Sequence, residues 1–172
     1  KIELYLLYQI ICKMHLTRKQ ENVFAYSLEE AKKSNMLFKH GCVATYGGHI
    51  IASGYNTHKN YSSHDNFVEN QCSCHAEMDV LRKIYWRNAR NRRKQTKMMR
   101  RVTLYISRCS NSGISTNSAP CAKCLRMIQQ YQIRKIIFHL NDTYYEYDPR
   151  DYTTTHKTFG DISLHKKNNQ FN

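Results

Sequence analysis

The chain has 172 residues, of which 41% are hydrophobic and 23% are charged. That composition is ordinary for a globular protein, and the length allows one domain with a substantial core. An excess of 27 Lys and Arg over 13 Asp and Glu gives a formal net charge of +14. Such a surplus indicates an anionic partner, either a nucleotide, a nucleic acid or another acidic surface, unless it is only a basic solvated surface.

The cysteines exclude a small disulfide-stapled scaffold. There are seven, an odd number, and their spacing is not that of a disulfide framework. We therefore expect a reducing compartment, the cytoplasm or the nucleus.

The first 16 residues are rich in apolar side chains but are interrupted by Glu3, Lys13 and His15. Because a membrane span needs about 20 mostly apolar residues, this segment predicts no span, and no membrane partner is expected. A packed N-terminal helix or a contact between copies in a homo-oligomer is the favoured interpretation, with a clipped signal anchor as the weaker one.

The next segments predict a helix and a hairpin. A polar connection at 17–21 leads into an amphipathic helix over 22–37, with Val23, Leu28, Ala31 and Leu37 on one face. Two short apolar runs, at 42–46 and 49–53, then flank the dipeptide Gly47-Gly48, which is the pattern of a hairpin with a two-residue turn. A polar loop over 57–71 follows.

Helices and strands alternate in the remainder of the chain. Helices are predicted over 75–86 and 121–131, and strands over 102–106 and 134–140. This alternation predicts an α/β domain with three α/β/α layers around a central mixed sheet of about five strands. The predicted divisions are an N-terminal extension (1–21), a domain (22–147) with a basic insertion (about 87–101), and a polar C-terminal tail (148–172).

Two motifs stand at the starts of the last two helices. His75 is followed two residues later by Glu77, and Pro120 precedes the Cys-x-x-Cys pair of Cys121 and Cys124. The two cysteines are one helical turn apart, so both sulfurs can face one metal ion, and His75 adds a nitrogen. Three protein ligands with one open position are typical of a catalytic Zn²⁺ site.

Glu77 has a role in such a site. The metal lowers the pKa of a bound water molecule, and a neighbouring carboxyl can act as general acid and base on it. The order H-x-E followed by P-C-x-x-C is the pattern of the zinc-dependent nucleobase deaminases. A purely structural zinc closed by Cys72 or Cys74 would leave Glu77 without a function. A second, structural zinc held by Cys72, Cys74, His58 and His64 is a weaker hypothesis.

Three sequence segments together resemble the cytidine and deoxycytidylate deaminase superfamily, most closely its deoxycytidylate branch. They are Gly-Tyr-Asn at 54–56, Cys-His-Ala-Glu-Met at 74–78 and Pro-Cys-Ala-Lys-Cys at 120–124. The resemblance covers about residues 22–147. It implies a cytidine-deaminase-like fold, a Zn²⁺ cofactor, and hydrolytic conversion of cytosine to uracil on a nucleotide.

The same resemblance implies three substrate contacts. Asn56 would hydrogen-bond the base or the sugar, the backbone at Ala76 would help to hold the base, and Ala119 would lie beside it. Asn56 also has a simpler interpretation as a turn residue that closes a strand. Two departures leave the substrate open: polar residues 57–60 replace the usual Pro/Gly-rich loop, and Ala119 stands where tRNA adenosine deaminases carry Glu.

Residues 80–101 form a strongly basic stretch, with ten Lys or Arg and no Asp or Glu. Aromatic residues at its start could stack on a base while the cations neutralise phosphates. A solvated, partly disordered loop is an equally good interpretation. The candidate nucleic-acid contacts are Tyr85, Trp86, Arg87, Arg90, Arg92, Arg93, Lys94, Lys97, Arg100 and Arg101.

Three functions are compatible with these patterns. The first is a zinc-dependent deaminase acting on a free nucleotide, with deoxycytidylate favoured. The second is a deaminase acting on cytosine or adenine in single-stranded RNA or DNA, guided by the basic stretch at 82–101, because a base inside a duplex is out of reach. The third is a deaminase fold retained as a nucleic-acid-binding or structural subunit, which has no need of Glu77.

Overall fold

The computed structural model describes residues 13–59, 72–87, 89–158, 160 and 162. Within those residues the chain forms six strands and four helices. In chain order they are β1 (Lys13–Met14), α1 (Arg18–Lys32), β2 (Lys39–Tyr46), β3 (His49–Tyr55), α2 (Ala76–Arg87), α3 (Arg92–Met99), β4 (Val102–Cys109), α4 (Ala122–Gln130), β5 (Lys135–Leu140) and β6 (Thr143–Tyr147).

The strands form one mixed sheet in the order β1-β6-β5-β4-β2-β3. The pairing of β4 with β5 is parallel, and every other pairing is antiparallel. The predicted mixed sheet is confirmed. Its four predicted strands are joined by β6 at the end of the predicted domain and by the two-residue β1 within the predicted N-terminal extension.

Two cores lie on opposite faces of this sheet, because successive side chains of a strand point to opposite sides. Val43, Tyr105 and Ile137 pack with Val23 and Phe24 of α1 on one face. The residues beside them in β2, β4 and β5 pack against α2 and α4 on the other face. The α/β/α layering is therefore confirmed.

Helix α1 begins earlier than its apolar pattern predicts. The Thr17 hydroxyl accepts a hydrogen bond from the Gln20 N–H at 3.3 Å, and the Gln20 side chain accepts one from the Thr17 N–H at 2.9 Å. This capping box satisfies two otherwise unpaired backbone donors and starts the helix inside the predicted connection. The predicted extension of the helix to Leu37 is wrong, since the helix ends at Lys32 and Leu37 is 75% exposed.

The basic insertion contains a helix. Asn91 caps α3 by accepting a hydrogen bond from the Lys94 N–H at 2.9 Å. Gln95 and Met99, one turn apart, are its buried residues, and Gln95 donates to the Tyr85 carbonyl oxygen at 2.8 Å. Residues 92–99 are therefore ordered on the domain surface.

The segment after β6 also packs against the domain. Gln129 of α4 donates to the Pro149 carbonyl oxygen at 2.8 Å, and the Tyr152 ring lies 5.2 Å from that of Phe138. Ala122, the first residue of α4, donates its N–H to the His156 carbonyl oxygen at 2.9 Å. Residues 149–158 of the predicted tail thus run alongside α4.

Two sequence predictions fall largely outside the described residues: the N-terminal helix or oligomer contact at 1–16, and the loop at 57–71 with His64. Where the structure does describe the first of these, Lys13–Met14 is a strand and not a helix. None of the helices formed by residues 13–59, 72–87 and 89–158 has both the length and the apolar character that crossing a membrane requires.

Candidate active site and metal centre

The two sequence motifs meet where α2 and α4 begin. Cys121 caps α4 by accepting a hydrogen bond from the Cys124 N–H at 3.5 Å, and His75 immediately precedes α2. The Nδ1 atom of His75 lies 3.1 Å from Cys124 Sγ and 3.6 Å from Cys121 Sγ. All three ligand atoms lie within 4.8 Å of one another.

This donor set fits Zn²⁺. Ligands at about 2.0–2.3 Å from a tetrahedral zinc ion are about 3.5 Å from each other, close to the observed separations. One nitrogen and two sulfurs leave one position of the tetrahedron for water or substrate. Among the residues that the structure describes, no other group of three potential ligands converges in this way. Cys72 donates to the Gly160 carbonyl oxygen and Cys74 to that of His75. His64, the fourth residue of the predicted structural zinc site, lies outside the described residues.

The surroundings of the two cysteines shift the pKa values of their thiols in opposite directions. The hydrogen bond from Cys124 lowers the pKa of Cys121 to about 4, with His75 contributing in the same direction. The pKa of Cys124 is raised, first by its hydrogen bond to Cys121 and then by burial. The start of α4 further favours negative charge on these sulfurs.

Glu77 lies beside this cluster with only 4% of its surface exposed. Burial raises the pKa of its carboxyl, and it is hydrogen-bonded to Cys124. Burial favours the protonated form of this carboxyl, and a group that can both accept and return a proton is what general acid–base chemistry requires. The position suits the role predicted for Glu77, which stays a prediction.

A cavity of about 490 Å³ opens above the cluster, with His75, Glu77 and Cys121 in its lining. His40, Arg108 and His156 are also in the lining, so Glu77 is the only acidic residue among those that line it in the described chain. Burial, and next the charge of Arg108, lowers the pKa of His40 to about 3, so this imidazole is neutral at pH 7. The cavity therefore combines the Glu77 carboxyl with one guanidinium group, that of Arg108.

Asn56 lies in the cavity lining and is 6% exposed. Its Oδ1 accepts from the His40 N–H at 2.8 Å, and its Nδ2 donates to the Phe38 carbonyl oxygen at 2.7 Å and to Met36 Sδ at 3.2 Å. The amide thus fastens the connection between α1 and β2. One lone pair of Oδ1 is left for a ligand, so the predicted substrate contact stays a prediction.

The remaining predicted contacts lie in two regions, one at the cavity and one away from it. Ala119 lines the cavity, and Ala76 is fully buried at the start of α2. The cations of the basic stretch lie at the far end of α2 and on α3, away from the cavity. Arg87 there donates to the Ile51 carbonyl oxygen of the edge strand at 2.7 Å.

Sequence reasoning missed Arg108 and the two histidines of the cavity wall, although strand periodicity could have found two of the three. Residues two apart in a strand share a face, so Arg108 continues the row of Leu104 and Ile106 that faces α2 and α4. His40 likewise continues the row of Cys42 in β2. No comparable pattern marks the irregular segment that carries His156.

Two solved structures resemble the chain. The crystal structure of dCMP deaminase from the cyanophage S-TIM5 in apo form is 23% identical, with a TM-score of 0.45, over 72% of this chain and 82% of that one. The complex of that enzyme with dCMP and dUMP is 19% identical, with a TM-score of 0.43, over 71% and 82%. No significant sequence match is found among curated proteins.

A family model described as the cytidine and deoxycytidylate deaminase zinc-binding region matches residues 17–140. The matched region contains both motifs, all three potential zinc ligands and Glu77. Together with the His–Cys–Cys cluster, it confirms the predicted zinc cofactor. The chain belongs to the cytidine and deoxycytidylate deaminase family.

Proposed function

We propose that the chain is a zinc-dependent hydrolytic deaminase that converts cytosine to uracil on a free nucleotide, deoxycytidylate in the first place. The observation that carries this proposal is the buried Glu77 carboxyl beside the His75, Cys121 and Cys124 cluster at the base of a cavity. A structural zinc site has no use for such a carboxyl.

The zinc ligands and Glu77 have different roles in the proposed reaction. A zinc ion held by three ligands supplies a Lewis acid that makes water nucleophilic near neutral pH. Glu77 accepts the proton of the attacking water, delivers it to N3 of the ring, and assists the departure of ammonia from C4. Water and cytosine thereby give uracil and ammonia. Its buried position keeps Glu77 close to the reacting atoms and away from bulk solvent.

The position of Arg108 supports the proposal that the substrate carries a phosphate group. Its guanidinium lies 4.7 Å above the Phe38 ring in the cavity wall, and it forms no ion pair with a described residue. Arginine forms strong, charge-assisted hydrogen bonds to phosphate oxygens. A nucleotide can therefore place its base over the zinc ligands and its phosphate on this wall.

The first test is deamination of deoxycytidylate by the zinc-loaded chain, followed by mass spectrometry, with deoxycytidine, adenosine and single-stranded oligonucleotides offered in parallel. We expect deoxycytidylate to give deoxyuridylate. Glu77→Gln should abolish turnover while the zinc content stays at one per chain, because the variant removes the acid–base group and keeps the ligands. Turnover of oligonucleotides alone, or no turnover with zinc bound, would contradict the proposal.

Replacing the arginine tests the choice of a nucleotide. Arg108→Gln should lower kcat/KM for deoxycytidylate by roughly 30-fold, the loss of about 2 kcal/mol expected for a hydrogen bond to a charged group. Turnover of deoxycytidine should change little, since it has no phosphate. Equal losses on both substrates would show that Arg108 serves the cavity wall instead.

The expected compartment and assembly are part of the same proposal. The six cysteines within the described residues are all free thiols, which supports a reducing environment such as the cytoplasm or nucleus. Association into a homo-oligomer stays a prediction, to be measured by light scattering of the purified chain.

A further inference from the structure

Positive charge is concentrated in the middle of the chain. Between Asp79 and Asp142 there are 15 Lys or Arg and no Asp or Glu. Part of this charge is placed on α3 and the turn that follows it. The proposed deaminase reaction uses Arg108 from this set but none of the cations on α3 and the turn after it, so their concentration there needs a separate explanation.

Helix α3 turns its cations outward. Gln95 and Met99 form the buried side, one turn apart, and the charged side chains around them are exposed. We call the following exposed cations the basic face: Arg92, Arg93, Lys94, Lys97, Arg100 and Arg101. Four of its members, Arg93, Lys97, Arg100 and Arg101, line one shallow depression together with Thr96.

The charges of the basic face are not compensated. None of its six cations forms an ion pair with a described residue. Arg101 is fixed by the Tyr46 ring, 4.9 Å from its guanidinium carbon, and by the Tyr46 hydroxyl at 3.0 Å, while Arg100 donates to the Gln132 side chain. Two guanidinium groups are thus held in place by neutral partners, which keeps their charge available for an anion.

The basic face and the cavity lie at opposite ends of β2. Tyr46, which contacts Arg101, is the last residue of that strand, and His40 of the cavity wall is its second. Six residues of extended chain span roughly 20 Å. A ligand on the basic face therefore does not occupy the substrate cavity.

An exposed indole lies near the end of α2, six residues before Arg92 of the basic face. Trp86 is 45% exposed and lies edge-on to Tyr85, with ring centroids 5.6 Å apart. The Tyr85 carbonyl oxygen receives the hydrogen bond from Gln95 that docks α3. An aromatic platform next to a row of cations is the arrangement used by proteins that bind single strands.

We propose that the basic face binds the phosphate backbone of a single-stranded nucleic acid, with a base stacked on Trp86. Arg93 and Lys97 are one turn apart on α3, about 6 Å along the helix axis, and Arg101 in the turn after the helix lines the same depression, so the three present a group of charges to successive phosphates. An anionic membrane fits less well, because α3 itself exposes no apolar face, and the single indole of Trp86 offers a lipid surface far less apolar area than such a face would. The binding surface is separate from the proposed deaminase site.

Fluorescence offers a direct test, because Trp86 is the only tryptophan of the chain. Fluorescein-labelled 20-nucleotide DNA and RNA would be titrated by anisotropy over a range of salt concentrations, and unlabelled strands by tryptophan emission. We expect binding that weakens with salt and quenching of Trp86 by single strands. Excess deoxycytidylate should not displace them, whether or not the chain deaminates it.

The test variant is Arg93→Gln/Lys97→Gln on the basic face. The control is Lys32→Gln/Lys33→Gln at the end of α1, which changes the net charge equally but removes lysines that are already ion-paired with Glu29 and Glu30. Losing two phosphate contacts on a single strand should reduce the salt slope, log K against log salt concentration, by about 1.4, and weaken binding roughly tenfold or more. Only the first pair should do so. Equal effects of the two pairs, a duplex that binds as well as a single strand without quenching, or preferential binding to phosphatidylserine vesicles would overturn the proposal.

Discussion

Asn56 shows how much of the site depends on one buried amide. Its side chain makes two hydrogen bonds to the connection between α1 and β2, at Met36 and Phe38, and one to His40 in β2, and all three of these residues line the cavity. The Asn56 carbonyl oxygen also accepts from the Ser34 hydroxyl at 2.9 Å. The side chain therefore positions one wall of the cavity, whatever it contributes to the substrate.

Truncating this amide should cost stability as well as activity. Asn56→Ala leaves the His40 N–H and the Phe38 carbonyl oxygen without partners, which predicts a loss of about 2 kcal/mol or more in the free energy of unfolding, measured in urea. Asn117→Ala is the matched control, since Asn117 also lines the cavity but is exposed. A raised KM with unchanged stability in the Asn56 variant would instead assign the amide to the substrate alone.

His40 should make stability depend on pH. Burial, with the charge of Arg108 next, lowers its folded-state pKa from 6.5 to about 3, so the folded protein binds fewer protons at His40 than the unfolded chain does. This contribution to stability is complete above about pH 6.5 and declines as the pH falls from there toward about 3. Between pH 7.5 and 5.5 the loss from this group alone is about 1.3 kcal/mol.

The measurement for His40 compares urea unfolding of the wild type and of His40→Gln at these two pH values. The variant lacks the titrating group, so its stability should decline less between them by about that amount. Parallel declines would mean that His40 is protonated equally in the folded and unfolded chains.

At the scale of elements, α1 and β2 approach so closely that only glycine fits at position 41. A Cβ atom there would lie 2.0 Å from the Ser27 carbonyl oxygen and 2.6 Å from the Ala31 N atom. Both are backbone atoms of a helix, so neither can move alone. This contact holds α1 against β2, the strand whose first residues lie at the cavity.

Gly41→Ala should accordingly be strongly destabilising, by about 3 kcal/mol or more, because the helix must shift to admit one methyl group. Gly47→Ala is the comparison: its φ of 58° is unfavourable for alanine, but no atom lies within 4 Å of the added Cβ. That variant should lose only about 1 kcal/mol, from backbone conformation. Thermal unfolding of the two variants separates the cost of a steric clash from the cost of an unfavourable φ. Equal losses of stability would contradict the close approach of α1 to Gly41.

Sequence patterns predicted the helices and strands that carry a clear local pattern. They missed the features that depend on hydrogen bonds or on pairing with neighbouring strands. The hairpin turn, the zinc helices and β4 each carry a local pattern, and all are present. Helix α1 begins at Thr17 because of a hydrogen-bonded cap, which an apolar pattern does not register. Strand β6 reads as a polar, aromatic segment, since every residue but Tyr147 is only half-buried beside β5 and the short β1.

At the scale of the whole molecule, the sequence located the three candidate zinc ligands that the structure brings together, but not the cavity around them. His75 and Cys121 are 46 residues apart, yet their motifs identify them because metal chemistry restricts the residue types and the spacing. The wall is built from the start of β2, the end of β4 and the segment after β6. Such a surface depends on how the layers assemble, so residues such as His156 carry no local pattern.

Because the ligands belong to two helices, zinc should stabilise the assembled layers. An ion that binds only the folded state adds about 2.7 kcal/mol at a free concentration 100-fold above its Kd. For a chain of 172 residues this corresponds to a rise in Tm of about 5–10 °C between chelator-treated and zinc-loaded protein. Scanning calorimetry of both forms measures it. Cys121→Ser/Cys124→Ser removes two ligands while nearly preserving volume, so its Tm should not respond to zinc. A response as large as that of the wild type would place the stabilising ion elsewhere in the molecule.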